Sequence, residues 1–377
     1  MTTSSLPTGW HEPATVVTRP SSEPVGWRNA ARLHPTVQVG PLHPIPAGTA
    51  EHPVVPRETT TEPEPVSRET PVDAGTPQAA EHVPSTSPLA DELVDRARRR
   101  KALADGPVGK PAQPRILTIS NQKGGVGKTT TTVNVAAALA QFGLRVLVID
   151  IDPQGNASTA LGIPHHAEVP SVYDVVVEDQ ELAGVLQECP DIPGLWCAPA
   201  TIDLAGAELE LVSLVARESR LKRAIEHYQE NPGAPGVFDF VLIDCPPSLG
   251  LLTVNAFVAA REVFIPIQCE YYALEGLSQL LKNIELIRAH LNPELHVSTI
   301  LLTMYDARTR LSAQVADEVR THFTDQVLKS TIPRSVRISE APSHGQTVLT
   351  YDPSSSGALS YAEAAKELAA RSTTIAE

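Results

Sequence analysis

From Arg115 onward, short apolar runs and longer amphipathic stretches take turns along the chain. RILTIS (115–120), RVLVID (145–150), LWCAPA (195–200), FDFVLID (238–244), EVFIPIQ (262–268) and HVSTILLTMYD (296–306) have the length and β-branched content of buried strands, and a shorter strand is expected over about 326–332. Between them, helical patterns span about 128–142, 203–230, 272–290, 309–323 and 358–371. Gly143 stops the first of these helices and NPGAPG the second. Residues 156–190 read as irregular with short helices. This alternation predicts an α/β domain over 115–377, a mostly parallel sheet covered by helices on both faces.

Before Arg115 the pattern stops. Nineteen of the 34 prolines lie there, among Thr, Ser, Glu and Ala, and TTTEPEPVSRETPVDAGTP (59–77) is typical. Such a composition cannot bury enough apolar surface to offset the entropy of ordering. Residues 1–114 are therefore expected to form a disordered, Pro-rich extension with polyproline-like character. One short helix is expected within it, near 88–104. Leu89, Leu93 and Ala97 share a face there, and Asp91 and Glu92 suit the first turn. Its end, Arg98, Arg99, Arg100 and Lys101, reads equally as a solvated charged terminus or as a contact for DNA or a partner.

The net charge of −14 is uneven: residues 1–115 carry 12 basic and 13 acidic side chains (−1), and the remainder 18 and 31 (−13). Any nucleic-acid binding must then come from a local patch rather than a global field. The four cysteines, Cys189, Cys197, Cys245 and Cys269, form no C-x-x-C pair, so zinc and redox motifs are unsupported and buried thiols in a reducing cytosol are expected. With no 18-residue apolar run and no signal-peptide pattern, a cytoplasmic location is expected.

The candidate chemistry lies in SNQKGGVGKTTTT (120–132). A strand, a glycine-rich turn and a helix starting at Lys128 make an anion cradle, because glycines let backbone N–H groups approach phosphate oxygens and the helix N-terminus adds partial positive charge. Lys128 would reach the β- and γ-phosphates, and the Thr129 hydroxyl would bind Mg²⁺. The strict P-loop pattern fails, since Gln122 occupies the place of its first glycine. Asp244 ends the strand in VFDFVLIDCPP and faces the crevice where such sheets bind ligands, where it would hold Mg²⁺ through water. Asp150 and Asp152, in VLVIDIDPQGN, fall on one side by alternation, near the γ-phosphate, although a turn or cap role for one of them stays open.

KGGVGKTT, DIDPQGN, LIDCPPS, IQCEYYALEGLSQL, LLTMYDARTR and IPRSVRISEAPSHGQ, in that order over about 115–371, together resemble the ParA family of chromosome- and plasmid-partitioning ATPases. That family belongs to the deviant Walker A group, which also contains MinD. The resemblance implies a P-loop NTPase-like fold, hydrolysis of ATP with Mg²⁺, and a cradle of Gly124, Gly125, Val126, Gly127, Lys128, Thr129 and Thr130. It implies that Lys123 is the signature lysine that crosses a two-fold interface to the ATP of the other subunit. It also implies that Asp152 acts on the attacking water, that Asp150 supports the Mg²⁺ shell with Thr129 and Asp244, and that Met304, Asp306 and Pro333 line the adenine end. The implied partners are a second copy, non-specific double-stranded DNA and a centromere-bound ParB-like protein that stimulates hydrolysis. A polar or scaffold protein acting through the extension is a further candidate, and the implied location is the nucleoid.

Lys329, Arg334 and Arg337, with Arg308 and Arg310 on a neighbouring loop, are the candidate DNA contacts. Two other readings compete. A MinD-like positioning ATPase at a membrane would need a basic amphipathic C-terminal helix, and SYAEAAKELAARSTTIAE is rich in alanine and only weakly amphipathic. An iron–sulfur reductase would need cysteines placed to bridge subunits, and Cys245 follows Asp244 where no ligand is expected.

Overall fold

The computed structural model describes residues 88–105, 108–231, 236–270 and 273–371. The disorder expected of residues 1–87 falls outside the described residues. Each apolar run forms its strand: β1 (Arg115–Ile119), β2 (Val146–Asp150), β4 (Leu195–Ala198), β5 (Phe240–Asp244), β6 (Glu262–Gln268), β7 (His296–Tyr305) and β8 (Val327–Pro333). A further strand, β3 (Gln187–Glu188), completes an eight-stranded sheet in the order β3-β4-β2-β5-β1-β6-β7-β8. Paired neighbours run parallel except β3 with β4. The helices are α1 (Pro88–Ala104), α2 (Lys128–Gln141), α3 (Asn156–Ala160), α4 (Val172–Val176), α5 (Leu204–Leu211), α6 (Arg220–Glu230), α7 (Leu251–Ala259), α8 (Ala273–His290), α9 (Arg310–His322), α10 (Val336–Glu340), α11 (Val348–Tyr351) and α12 (Ser356–Ala370).

Successive strand residues point to opposite faces, and both faces are buried. Leu117, Ile119, Val148, Phe240, Leu242 and Phe264 share one core with the alanine-rich faces of α2 and α12. On the other face, Leu147, Ile149, Val241 and Ile243 pack with α5, α6 and α7, and Val263, Ile265 and Leu302 pack with α8 and α9. Ala364, Ala365, Leu368 and Ala369 of α12 are spent in this core, so its apolar face is not turned outward. Among the described residues, no helix is long and apolar enough to cross a membrane.

The structure differs from the sequence expectations in three places. The segment 156–190 ends in β3, whose two polar residues carry no strand signal. The helix expected over 203–230 is two helices, broken around Ala216, which has a positive φ of 53°. Asn255 of α7 holds the break: its Nδ2 donates to Arg217 O at 2.7 Å and its Oδ1 accepts from Leu221 N at 3.2 Å. Helix α7 itself escaped notice because LLTVNAFVA is almost uniformly apolar and shows no helical period.

Helix α1 docks on α12. Arg99 makes a two-pronged pair with Glu363, Nε–Oε1 and Nη2–Oε2 both at 2.8 Å, and Nη2 also donates to Ser360 Oγ. Lys366 Nζ reaches the carbonyls of Ala102, Leu103 and Asp105, satisfying acceptors that the helix end leaves open. One member of the basic run is thus committed to the domain, while Arg100 and Lys101 are exposed. At the opposite end of α12, Gly357 lies against Ile338, so close that a Cβ there would come within 2.7 Å of its side chain.

Arg115 and Glu262 tie β1 to β6 in an almost fully buried pair, with contacts of 2.6 and 2.7 Å. Arg115 also donates to Leu368 O and stacks over the Phe240 ring. Burial alone would raise the Glu262 pKa, but the hydrogen bonds and charge of Arg115 hold it below the ordinary range. Glu262→Ala should remove the counter-charge of a buried guanidinium and destabilise the domain by ~3–5 kcal/mol. Equilibrium unfolding in denaturant measures this, and a loss below ~1 kcal/mol would assign the pair only the weight of a surface contact.

Candidate functional site

The strand order brings β2, β5 and β1 side by side, and their carboxyl ends set the acidic residues beside the loop. Ile119 pairs in register with Asp244, and Asp244 with Asp150. The chain leaves β1 through Ser120 and Asn121. Asn121 Nδ2 donates to Pro266 O at 2.9 Å and its Oδ1 accepts from Lys123 N at 3.0 Å, fastening the loop entrance to β6. Gly125 and Gly127 then take left-handed conformations, φ 74° and 89°, which residues with a Cβ rarely adopt. Nothing lies within 4 Å of where a Cβ would stand at Gly124 or Gly125, so the loop is open on that side. Thr303 Oγ1 of β7 donates to Val126 O at 2.8 Å and supports the loop from behind.

Lys128 opens α2 and is buried, with Nζ 3.5 Å from Lys123 O. Burial lowers its pKa, and the charges of Asp244 and Asp152 oppose that shift. Thr129 Oγ1 donates to Asp244 Oδ2 at 2.7 Å, and Thr132 Oγ1 donates to Oδ1 at 2.8 Å. Asp244 is fully buried. Burial first and the neighbouring Asp150 second push its pKa well above the ordinary range, against the pull of both threonines.

Asp150 is also fully buried and is raised by the same desolvation, although Ser158 and the Asp152 amide lower it. Its Oδ2 accepts from Ser158 N and Oγ at 2.9 and 2.8 Å, and its Oδ1 from Asp152 N at 3.2 Å. Asp150 therefore organises the turn that carries Asp152 into α3. Asp152 is 8% exposed and its Oδ1 accepts from Gln154 N at 3.0 Å.

These residues fit Mg²⁺ with a triphosphate. An open glycine cradle, a helix N-terminus, a buried lysine and a threonine hydroxyl face a carboxylate whose burial calls for a cation. Among the described residues, no cluster of three or more His, Cys, Asp or Glu side chains could hold a metal ion. All four cysteines are buried and free.

Lys123 stands apart from the cradle. Its Nζ lies 2.7 Å from Glu270 Oε2, two residues past the end of β6, in a partly exposed pair. The expected adenine-end residues gather where β7 and β8 finish: Tyr305 pairs with Pro333, Met304 has a positive φ of 51°, and Asp306 follows directly. The candidate cations differ in commitment. Arg308 is held by Asp306 at 3.0 Å, and Arg337 by Glu340 at 3.1 Å and Asp352 at 3.6 Å. Lys329, Arg310 and Arg334 are exposed and form no ion pair among the described residues. Sequence reasoning missed Asn121, Thr132, Ser158, Glu270 and Thr303. Only Thr132, one helical turn beyond Lys128, carried a spacing signal.

The family model described as an AAA domain matches residues 114–297. The sporulation initiation inhibitor protein Soj of Bacillus subtilis is 54% identical over 256 residues, covering 68% of this chain and 98% of that protein. The chromosome partitioning protein ParA of Caulobacter vibrioides is 50% identical over 257 residues, covering 68% and 94%. Among solved structures, cobyrinic acid a,c-diamide synthase from Mycobacterium smegmatis with bound ADP and magnesium is 38% identical, covers 70% of this chain and 96% of its own, and has a TM-score of 0.59. The septum site-determining protein MinD of Pyrococcus horikoshii with Mg-ADP is 25% identical, covers 68% and 96%, and has a TM-score of 0.54.

Asp244→Asn should make the nucleotide-free protein more stable at neutral pH while abolishing the rise in Tm that ATP with Mg²⁺ produces in the wild type. The Asp244 pKa is raised on folding, so its protonated form stabilises the fold at low pH. That contribution is lost as pH rises from the ordinary carboxylate range, ~4, through the raised value. Thermal melts across pH should therefore show a flatter decline for the variant than for the wild type.

Proposed function

Because the chain belongs to the ParA/Soj family of chromosome-partitioning ATPases, which hydrolyse ATP with Mg²⁺, we propose that it is a nucleotide-timed DNA-segregation switch. Its ATP-bound form is a sandwich dimer that holds double-stranded DNA without sequence preference, and a centromere-bound ParB-like partner triggers hydrolysis and release. The same reading places the protein on the nucleoid. The observation that carries it is the division of labour between two lysines: Lys128 is buried in the cradle, while Lys123 stands at its mouth with a partly exposed ammonium. A second cation has little to do in a monomer whose phosphates Lys128 already serves. Across an interface it offsets the repulsion of two facing triphosphates.

Bound Mg²⁺ supplies Lewis-acid stabilisation of the charge on the β- and γ-phosphates. The chain does the rest. Backbone N–H groups of Gly124–Thr130 orient the phosphates, and Lys128 neutralises charge that grows during transfer. Thr129, whose hydroxyl donates to Asp244, would hold the metal ion together with that carboxylate, which would balance its charge. Asp152, steadied by Asp150 through the turn between them, positions the attacking water. Met304, Asp306 and Pro333 border the base. Lys329, Arg310 and Arg334 are the cations best placed to meet DNA phosphates, since Arg308 and Arg337 must first leave carboxylates.

Three outcomes are expected. Lys123→Ala should bind ATP but stay monomeric with it in sedimentation; normal dimerisation would remove the sandwich. Asp152→Ala should bind ATP and DNA yet hydrolyse ~10²–10⁴-fold more slowly and remain on DNA after the partner is added. Rapid release of that variant would uncouple hydrolysis from release. Arg334→Ala should lower the slope of log K for DNA against log salt by ~1 without changing ATP affinity, and Arg308→Ala should lower it less.

A further inference from the structure

Glu270 has no part in the nucleotide chemistry described above, yet it occupies the lysine on which dimerisation depends. Its two oxygens are separately engaged. Oε1 accepts from Gln268 Nε2, and Oε2 meets Lys123 Nζ at 2.7 Å. Its backbone N–H donates to Gln268 O at 2.8 Å, so its main chain is tied to the last residue of β6, and the Gln268 side chain steadies the carboxylate. The lysine's main chain is fastened to the same strand through Asn121, which bridges Lys123 N and Pro266 O. Backbone and side chain of Lys123 are thus both held within one subunit, and both attachments lead to β6.

We propose that Glu270 is a positioning residue that keeps Lys123 in reserve within its own subunit and thereby sets the ATP concentration at which two copies join. This rests on the reading that Lys123 acts across the interface. The Lys123 ammonium cannot pair fully with Glu270 and with a partner's triphosphate at once. Two facing triphosphates carry far more charge than one carboxylate and out-compete it once both subunits are loaded. A lone subunit has no such competitor and keeps its lysine at home. The apparent affinity for dimerisation is then reduced by the fraction of chains whose lysine is released. With side chains 35% and 44% exposed, the pair is a weak, reversible hold.

The test is ATP-dependent sedimentation of the full chain with Mg²⁺, comparing wild type with Glu270→Gln and Glu270→Asp. Gln keeps an acceptor for Gln268 and removes the charge, so half-maximal dimerisation should need about two- to fivefold less ATP. Asp keeps the charge and should stay closer to wild type. In the Lys123→Ala background, binding of a fluorescent ATP analogue should be the same with and without Glu270→Gln, because the carboxylate acts only through the lysine. An unchanged or raised ATP midpoint in Glu270→Gln overturns the proposal. A change in analogue binding that persists without Lys123 also overturns it. Normal dimerisation of Lys123→Ala would overturn the interface reading itself, and the reserve role with it.

Discussion

A carboxylate buried without a full counter-charge lies at the centre of this molecule. Asp244 ends a strand inside the sheet, receives the hydroxyls of Thr129 and Thr132 from the first two turns of α2, and sits in register between Ile119 and Asp150. The two threonines tie the first turns of α2 to the end of β5, beside the glycine loop. Desolvation of that one group raises its pKa, so the nucleotide-free fold favours its neutral acid and the charged carboxylate is costly without a cation. Bound metal supplies that cation, so ligand binding and local stability are two views of the same charge balance.

Around that centre, β6 and β7 supply the supports. Pro266 O holds Asn121, Glu270 holds Lys123, and Thr303 holds the Val126 carbonyl. Three short contacts therefore connect the phosphate loop to β6, to Glu270 just past it and to β7, and of these β7 carries the expected base-end residue Met304 near its end. Ser312 Oγ, which lies 3.5 Å from Cys269 O, extends the chain of contacts to α9.

Much of this was legible in the residues because the relevant signals are local. Apolar runs located seven strands, since a strand buried on both faces must be apolar throughout. Gly125 and Gly127 stand where left-handed backbone is required, and Asp150 and Asp244 stand at strand ends where a parallel sheet directs its chemistry. What escaped has no local signature. The polar pair Gln187–Glu188 becomes a strand only because β4 lies beside it, and α7 is too apolar to show a period. The break between α5 and α6 is held by Asn255, about forty residues downstream. Glu270 and Lys123 are 147 residues apart, and nothing in either stretch announces the pairing.

Both margins of the sheet are closed to further pairing. On one side, β3 is only two residues long and carries Glu188, too short and too charged to template another strand. On the other, Glu367 of α12 accepts the backbone N–H groups of Lys329 and Ser330 at 2.8 and 3.2 Å, occupying donors that an incoming strand would need. Two copies brought together at high local concentration therefore have no easy route to a continuous intermolecular sheet. The described edges thus resist the irreversible association that crowding invites in proteins with open strand edges.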